Sequence, residues 1–241
     1  MTSHRFGDAG PLVVLLHGIP GSSADWRPVA KRLAADHRVL ACDLLGFGAS
    51  PRPNAIDALW ADAQAEALEP LVEEPAVVVG HDFGGPVALT LYRRRPDLFV
   101  RLVLLATNAF GDTPIPLPIR AVTWPVLGGM AEHVLMSGPA LRAVARGRAD
   151  VGDRAQIHAT RTIFAAALRE LGPRYAPIEA TLPTITVPTT VLWGDRDEFF
   201  SVNDGHRLAE AIPGAQLRVL EGAGHFLARE RTDDVVAAIA A

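Results

Sequence analysis

Six short strand-like runs, led by the wholly apolar Leu12 to Leu16, constrain what this chain can fold into more than any other feature. Leu12 to Leu16 is apolar at every position and ends in His17-Gly18-Ile19-Pro20-Gly21. A run with no polar face cannot border water on either side, so it reads as a buried strand of a parallel sheet. Arg38 to Asp43, Ala76 to Gly80, Arg101 to Thr107, Thr189 to Gly194 and Gln216 to Leu220 read as strands too. Between them, Asp25 to Ala35, Ala55 to Glu73, Phe83 to Arg95, Gly205 to Ile212 and Asp233 to Ala240 carry helical spacing. Strand–helix alternation of this kind predicts right-handed crossovers and a mostly parallel sheet covered by helices on both faces.

The alternation stops between residues 108 and 185. Prolines recur there, at 114, 116, 118, 125, 139, 173, 177 and 183, and no strand-like run appears. Val134 to Arg148 and Gln156 to Leu171 are the best helix candidates. The expected organisation is an α/β core, residues 1–107 and 186–241, interrupted by a helical insertion, residues 108–185. A length of 241 residues suits one catalytic domain with such an insertion.

Composition narrows the partners. A net charge of −4 leaves no broad cationic surface for nucleic acid or anionic lipid. The single cysteine, Cys42, excludes an internal disulfide framework and cannot build a zinc–thiolate cluster. The histidines are scattered without metal-ligand spacing, so neither metal nor cofactor is expected. No stretch reaches the roughly 18 to 20 apolar residues of a membrane helix, and the first residues lack a signal-peptide run. A cytoplasmic location is therefore expected.

The chemistry gathers at strand ends. Gly80-His81-Asp82-Phe83-Gly84-Gly85 lies between a strand and a helix and has the form of a nucleophile-bearing turn, with aspartate at its tip. Glycines permit the tight reversal that lifts the central side chain above the sheet. The loop after the first buried strand can supply the Ile19 N–H, to act with the Phe83 N–H on a developing oxyanion. His17 reads as a turn-pinning histidine rather than a base. Asp195 and Asp197 follow the Leu192-Trp193-Gly194 strand end, where carboxylates of α/β sites collect, although either can serve only a turn. His225, on the Gly222-Ala223-Gly224 loop past the last strand, is placed to reach the elbow.

These residues carry a resemblance. His17-Gly-Ile-Pro20, Asp43-Leu-Leu-Gly-Phe-Gly-Ala-Ser50, Gly80-His-Asp-Phe-Gly-Gly85, Trp193-Gly-Asp-Arg-Asp197 and Gly224-His225 resemble the α/β-hydrolase superfamily. Within it they are similar to the aspartate-nucleophile branch of epoxide hydrolases and haloalkane dehalogenases. The resemblance implies the α/β-hydrolase fold, with the insertion as a helical cap over the site. It implies Asp82 as nucleophile, His225 as base and Asp197, rather than Asp195, as the orienting acid. An alkyl ester would form on Asp82 and be hydrolysed by a His225-activated water.

Two leaving groups fit that chemistry. Epoxide opening needs an acid, which the resemblance places on cap tyrosines; Tyr175 is the one tyrosine in the insertion, and Trp124, His133 and His158 are the other candidate donors. Halide release needs N–H donors, and Phe83 stands where the dehalogenases usually carry tryptophan. Epoxide hydrolysis is thus expected first, then dehalogenation or another hydrolytic reaction, then a binding protein of the same fold without turnover. Tyr175 and Trp124 are expected to touch substrate. Val126, Leu127, Met130, Leu135, Met136, Ile163 and Phe164 are further candidates to line an apolar pocket. The expected partners are a small apolar organic substrate and water, in a monomer or homodimer.

Overall fold

The computed structural model describes residues 1–114, 124, 128–135, 137, 139, 140, 143 and 153–241. Seven strands form one sheet: β1 (Thr2–Phe6), β2 (Leu12–Leu16), β3 (Arg38–Asp43), β4 (Ala76–His81), β5 (Phe99–Leu105), β6 (Thr189–Gly194) and β7 (Gln216–Leu220). The described helices, in chain order, are α1 (Arg27–Leu33), α2 (Ala61–Leu68), α3 (Gly84–Arg94), α4 (Gly128–Leu135), α5 (Arg154–Arg169), α6 (Leu171–Glu179), α7 (Val202–Ala211), α8 (Leu227–Glu230) and α9 (Thr232–Ala240). The spatial order of strands is β1-β3-β2-β4-β5-β6-β7. Only β1 runs antiparallel to its neighbour.

That order fixes where a site can form. The chain passes from β2 to β3 on one side and returns to place β4 on the other side of β2. Crossovers therefore diverge to opposite faces, leaving a crevice beyond the carboxyl ends of β2 and β4. The Gly18 loop leaves β2 there and the Asp82 turn leaves β4.

Both sheet faces are buried because successive strand residues point to opposite sides. Val14, Leu16, Val78, Leu102 and Leu104 pack with α2, α3 and α7, whereas Val13, Leu15, Val79, Val103 and Leu105 pack with α1, α8 and α9. The first of these cores continues into the insertion through Ala159, Ile163, Tyr175 and Ile178. Among its described residues the insertion forms helices and no strand. The Gln156 amide of α5 donates to the Gly21 carbonyl at 2.9 Å, and Arg52 pairs with Asp153. These contacts tie α5 to the loops above β2 and β3.

Among the differences from the sequence reading, four have a local reason. β1 lacks an apolar run because it is a half-exposed edge strand. β5 begins two residues earlier than expected and releases Ala106 into a positive φ of 40°. The stretch 55–73 is three pieces, not one helix: 3-10 turns at Ile56–Ala58 and Glu69–Leu71 flank α2. Extended backbone at Trp60 starts α2, and buried Gln64 bonds Leu45 N–H, Leu45 C=O and Leu59 C=O, holding that break against the 44–50 turn. α6 forms despite Pro173 and Pro177. Pro173 lies in the first turn, where the missing N–H has no helical partner in any case. The expected helix 134–148 falls largely outside the described residues, as do Val126, Leu127, Met136 and the side chain of Leu135.

Candidate active site

Asp82 sits at the tip of the β4–α3 turn with a φ of 50°. A left-handed backbone costs a non-glycine residue roughly 1–2 kcal/mol, so the surroundings must hold it. They do so at both ends: Asp82 N–H donates to Leu105 C=O at 3.1 Å, and Gly85 N–H donates to Asp82 C=O at 3.0 Å. Thr107, leaving β5 just after strained Ala106, adds a hydroxyl bond to the same carbonyl at 2.6 Å. The turn also needs close backbone approach. A Cβ on Gly84 would lie 2.4 Å from the Leu16 carbonyl oxygen, and one on Gly18 2.5 Å from the Asp82 Cβ. The loop after β2 is thereby pressed directly against the aspartate.

His17 settles that loop. Leu44 N–H donates to His17 Nε2 at 3.0 Å, so the other ring nitrogen carries the proton and donates to Gly18 C=O at 2.8 Å. This is a neutral turn-pinning histidine.

The Asp82 carboxylate receives Phe83 N–H on Oδ2 at 2.7 Å, and the Ile19 N–H is near enough to help lower its pKa. Oδ1 is the oxygen nearest His225, with Nε2 4.0 Å away. That gap is too long for a direct hydrogen bond. His225 is oriented from its other side, where Nδ1 meets Asp197 Oδ2 at 2.9 Å. Asp197 is fixed in turn by Phe199 and Phe200 N–H groups at 2.8 and 3.0 Å on Oδ1. Asp195 is exposed and instead accepts Gly222 N–H at 2.7 Å, bracing the loop that carries His225. The rings of Phe199, Phe200 and Phe226 surround the imidazole at centroid distances of 4.9, 5.6 and 5.2 Å.

Burial governs the charges. The Asp82 carboxyl is pushed up to about 6 by loss of water, against the opposing pull of His225 and the two N–H donors. Burial also works against His225, but the Asp197 hydrogen bond and the charges of Asp197 and Asp82 prevail and raise its pKa. The two titrations are linked, each charge favouring the other. The arrangement can hold an ionised carboxylate with one oxygen seated among N–H donors and the other open, beside an imidazole ready to take a proton.

Above the carboxylate, Tyr175 of α6 is 6% exposed and packs edge-on against Trp60 at 5.7 Å. Burial raises its hydroxyl pKa first, and the Asp82 charge raises it further. Trp60 also touches Phe83 at 5.5 Å. Trp124, by contrast, is half-exposed at 50%, and the ring described against both Phe83 and Tyr175 is that of Trp60. His133 and His158 are exposed; Ile163 is buried and Met130 exposed. Three contributors escaped the sequence reading. Thr107 passed for a strand end, Trp60 for a helix residue, and His81, whose Nε2 donates to the His225 carbonyl at 2.9 Å, for an ordinary elbow residue. Among the described residues no cluster of metal-ligating side chains forms, and no helix is long and apolar enough to cross a membrane.

Comparison with known proteins agrees with this architecture. The chain is 32% identical to a 2-hydroxymuconate semialdehyde hydrolase of Pseudomonas sp. (strain CF600), over 92% of this chain and 83% of that protein. It is also 32% identical to a pimeloyl-[acyl-carrier protein] methyl ester esterase of Chromobacterium violaceum, covering 96% and 93% of the two chains. A solved structure from a study of novel epoxide hydrolases from metagenomes of hot environments superposes with a TM-score of 0.78 at 21% identity, covering 98% of this chain and 92% of the other, a likeness of fold alone. Residues 13–239 match the alpha/beta hydrolase family. The chain belongs to that family.

Proposed function

We propose that this hydrolase opens epoxides through an ester on Asp82, with the insertion, residues 108–185, acting as the cap over the site. The observation that carries the reading is the carboxylate at the elbow tip. One of its oxygens is seated on Phe83 N–H, and the other faces His225 across 4.0 Å. A serine there would need the base within hydrogen-bond reach to be activated. A carboxylate needs no such contact, and the gap leaves the imidazole beside the carboxyl carbon, where a water must be activated.

Asp82 Oδ1 attacks an epoxide carbon, the ring C–O bond breaks, and the alkoxide takes the Tyr175 proton. Alkylation removes the Asp82 charge, which is one of the causes opposing a phenolate at Tyr175. His225 then takes a proton from water as that water adds to the Asp82 carboxyl carbon. The oxyanion forms on the oxygen already held by Phe83 N–H, with Ile19 N–H beside it. Collapse releases the diol with the proton from His225 and leaves Asp82 as the carboxylic acid, whose proton passes through water to the Tyr175 phenolate and restores both groups. Overall, epoxide and water give diol. The buried aromatic walls, Trp60, Phe83 and Tyr175, suit a neutral apolar substrate.

The test is a panel of aryl and alkyl epoxides run beside haloalkanes and simple esters. Epoxide opening with Tyr175→Phe slower by about 10²-fold supports the reading. Halide release with Tyr175→Phe unaffected would make the enzyme a dehalogenase instead. Turnover of none of these, with thermal stabilisation by small apolar ligands, would make it a binding protein.

The acid is tested in the same assay. Asp197→Asn removes the acceptor that fixes the His225 tautomer and should lower turnover by about 10³- to 10⁴-fold. Asp195→Asn, which touches only the Gly222 loop, should stay near wild type. Equal, small effects from both would move the orienting role off Asp197.

A further inference from the structure

Hydrolysis of the ester depends on a span. His225 Nε2 stands 4.0 Å from Asp82 Oδ1, too far to bond the carboxylate and near enough to take a proton from water approaching the carboxyl carbon. Asp197 fixes how the imidazole is turned. How far the ring stands from Asp82 depends on its backbone, which belongs to a glycine-rich loop. Asp195 accepts Gly222 N–H and Glu230 accepts Gly224 N–H, both at 2.7 Å. Those braces come from the end of β6 and from α8, so they hold the loop to its own neighbours.

His81 holds it to the nucleophile. It is the last residue of β4, directly before Asp82, and stands in register with Leu105 of β5. Side chains alternate along a strand, so His81 follows Val77 and Val79 toward the core beneath α1 and α8. Buried there, its Nε2 lies 2.9 Å from the His225 carbonyl oxygen. A carbonyl can only accept, so Nε2 carries the proton and donates it. The same carbonyl accepts Leu227 N–H at 2.9 Å. The two imidazole rings lie 4.8 Å apart, and the Trp26 and Phe226 rings stand edge-on to His81 at 6.5 and 6.3 Å.

We propose that His81 is the positioning residue of the base: its Nε2–H ties the His225 backbone to the strand end that carries Asp82, and so sets the span across which water is activated. The proposal rests on the ester reading for its kinetic consequence and on the His81 contact for its geometry. Ester formation makes no use of the base, so loss of the tie should be felt in ester hydrolysis alone.

Two variants separate this role from a merely structural one. His81→Phe keeps a ring of similar size without the donor, whereas His81→Gln places an amide N–H within similar reach. Rapid-quench mass spectrometry with an epoxide the enzyme opens should show ester hydrolysis slowed about tenfold in His81→Phe, with ester formation unchanged. His81→Gln should recover most of that loss. In a His225→Gln background, His81→Phe should slow the residual hydrolysis no further, because the group it positions is gone. Unchanged hydrolysis in His81→Phe, slowing of both steps, no recovery with glutamine, or the same slowing without the imidazole would overturn the proposal.

A second arm uses the wild-type protein and needs no substrate. The chain has eight histidines, and the His81 signals of nitrogen-15-labelled protein are assigned with His81→Gln. Nε2 of His81 should carry its proton throughout pH 6 to 8, and that proton should exchange with water far more slowly than one on a surface imidazole. An unprotonated Nε2, or exchange as fast as at the surface, would refute the contact. If no substrate forms an ester on Asp82, the ester reading fails while this arm still decides whether His81 holds the loop.

Discussion

Replacement of His225 by glutamine should leave an enzyme that takes up one equivalent of epoxide and stops. The first step draws on a carboxylate that is already ionised near neutral pH and stands clear of the imidazole. The second needs a base, because water alone is a poor nucleophile toward an ester. Hydrolysis of the ester should therefore slow by at least about 10³-fold, and intact mass should show a protein heavier by the whole epoxide. Alkylation should slow much less, and for a stated reason. His225 is among the groups that hold the Asp82 pKa down. Without it the carboxyl titrates higher, so the residual loss should recover as pH is raised toward 8. A His225→Gln protein that accumulates no adduct while turning over slowly would remove His225 from the second step.

Asp82→Asn should abolish turnover and yet make the protein more stable at pH 8. The sign comes from burial. Burial pushes the Asp82 carboxyl up to about 6 from its ordinary 3.8, so folding favours its protonated form. That contribution is fully present below the unfolded pKa and is lost as pH rises through about 6. Above it, the folded chain carries a buried carboxylate it would hold more easily as a neutral group. A two-unit shift corresponds to about 3 kcal/mol, the scale of the expected gain. The gain should therefore be absent below about pH 4, grow between about pH 4 and 6, and stay level above that. Denaturant titrations of both proteins across that range measure it. A variant less stable than wild type at pH 8 would mean that Asp82 is stabilised, not strained, by its surroundings.

The parts of this protein that were legible in its sequence are those where a residue's own chemistry announces its environment. Leu12–Leu16 has no polar face, and so declares a buried parallel strand. The elbow is legible because its close backbone contacts require glycine at fixed offsets from Asp82. Edge strand β1 is not legible, since half-exposed strands and loops share composition. Nor is the break at Trp60, which buried Gln64 enforces from a distance. The choice between Asp197 and Asp195 rested on resemblance, because both carboxylates accept N–H bonds in one tight turn. Only the fold shows that one reaches the imidazole and the other braces its loop. Trp60 and Thr107 were invisible for a similar reason: each acts through a partner far away in the chain.

The central claim is that water enters at the Asp82 carboxyl carbon, and one experiment addresses it directly. Wild-type enzyme in excess over an epoxide it opens is mixed in heavy-oxygen water, quenched after a single turnover, and digested. The diol from that turnover should hold two light oxygens, one from the ring and one from Asp82. The peptide bearing Asp82 should carry one heavy oxygen, and Asp82→Asn protein should carry none. A diol containing heavy oxygen after the first turnover, with Asp82 unlabelled, would show water attacking the substrate itself and would contradict the account.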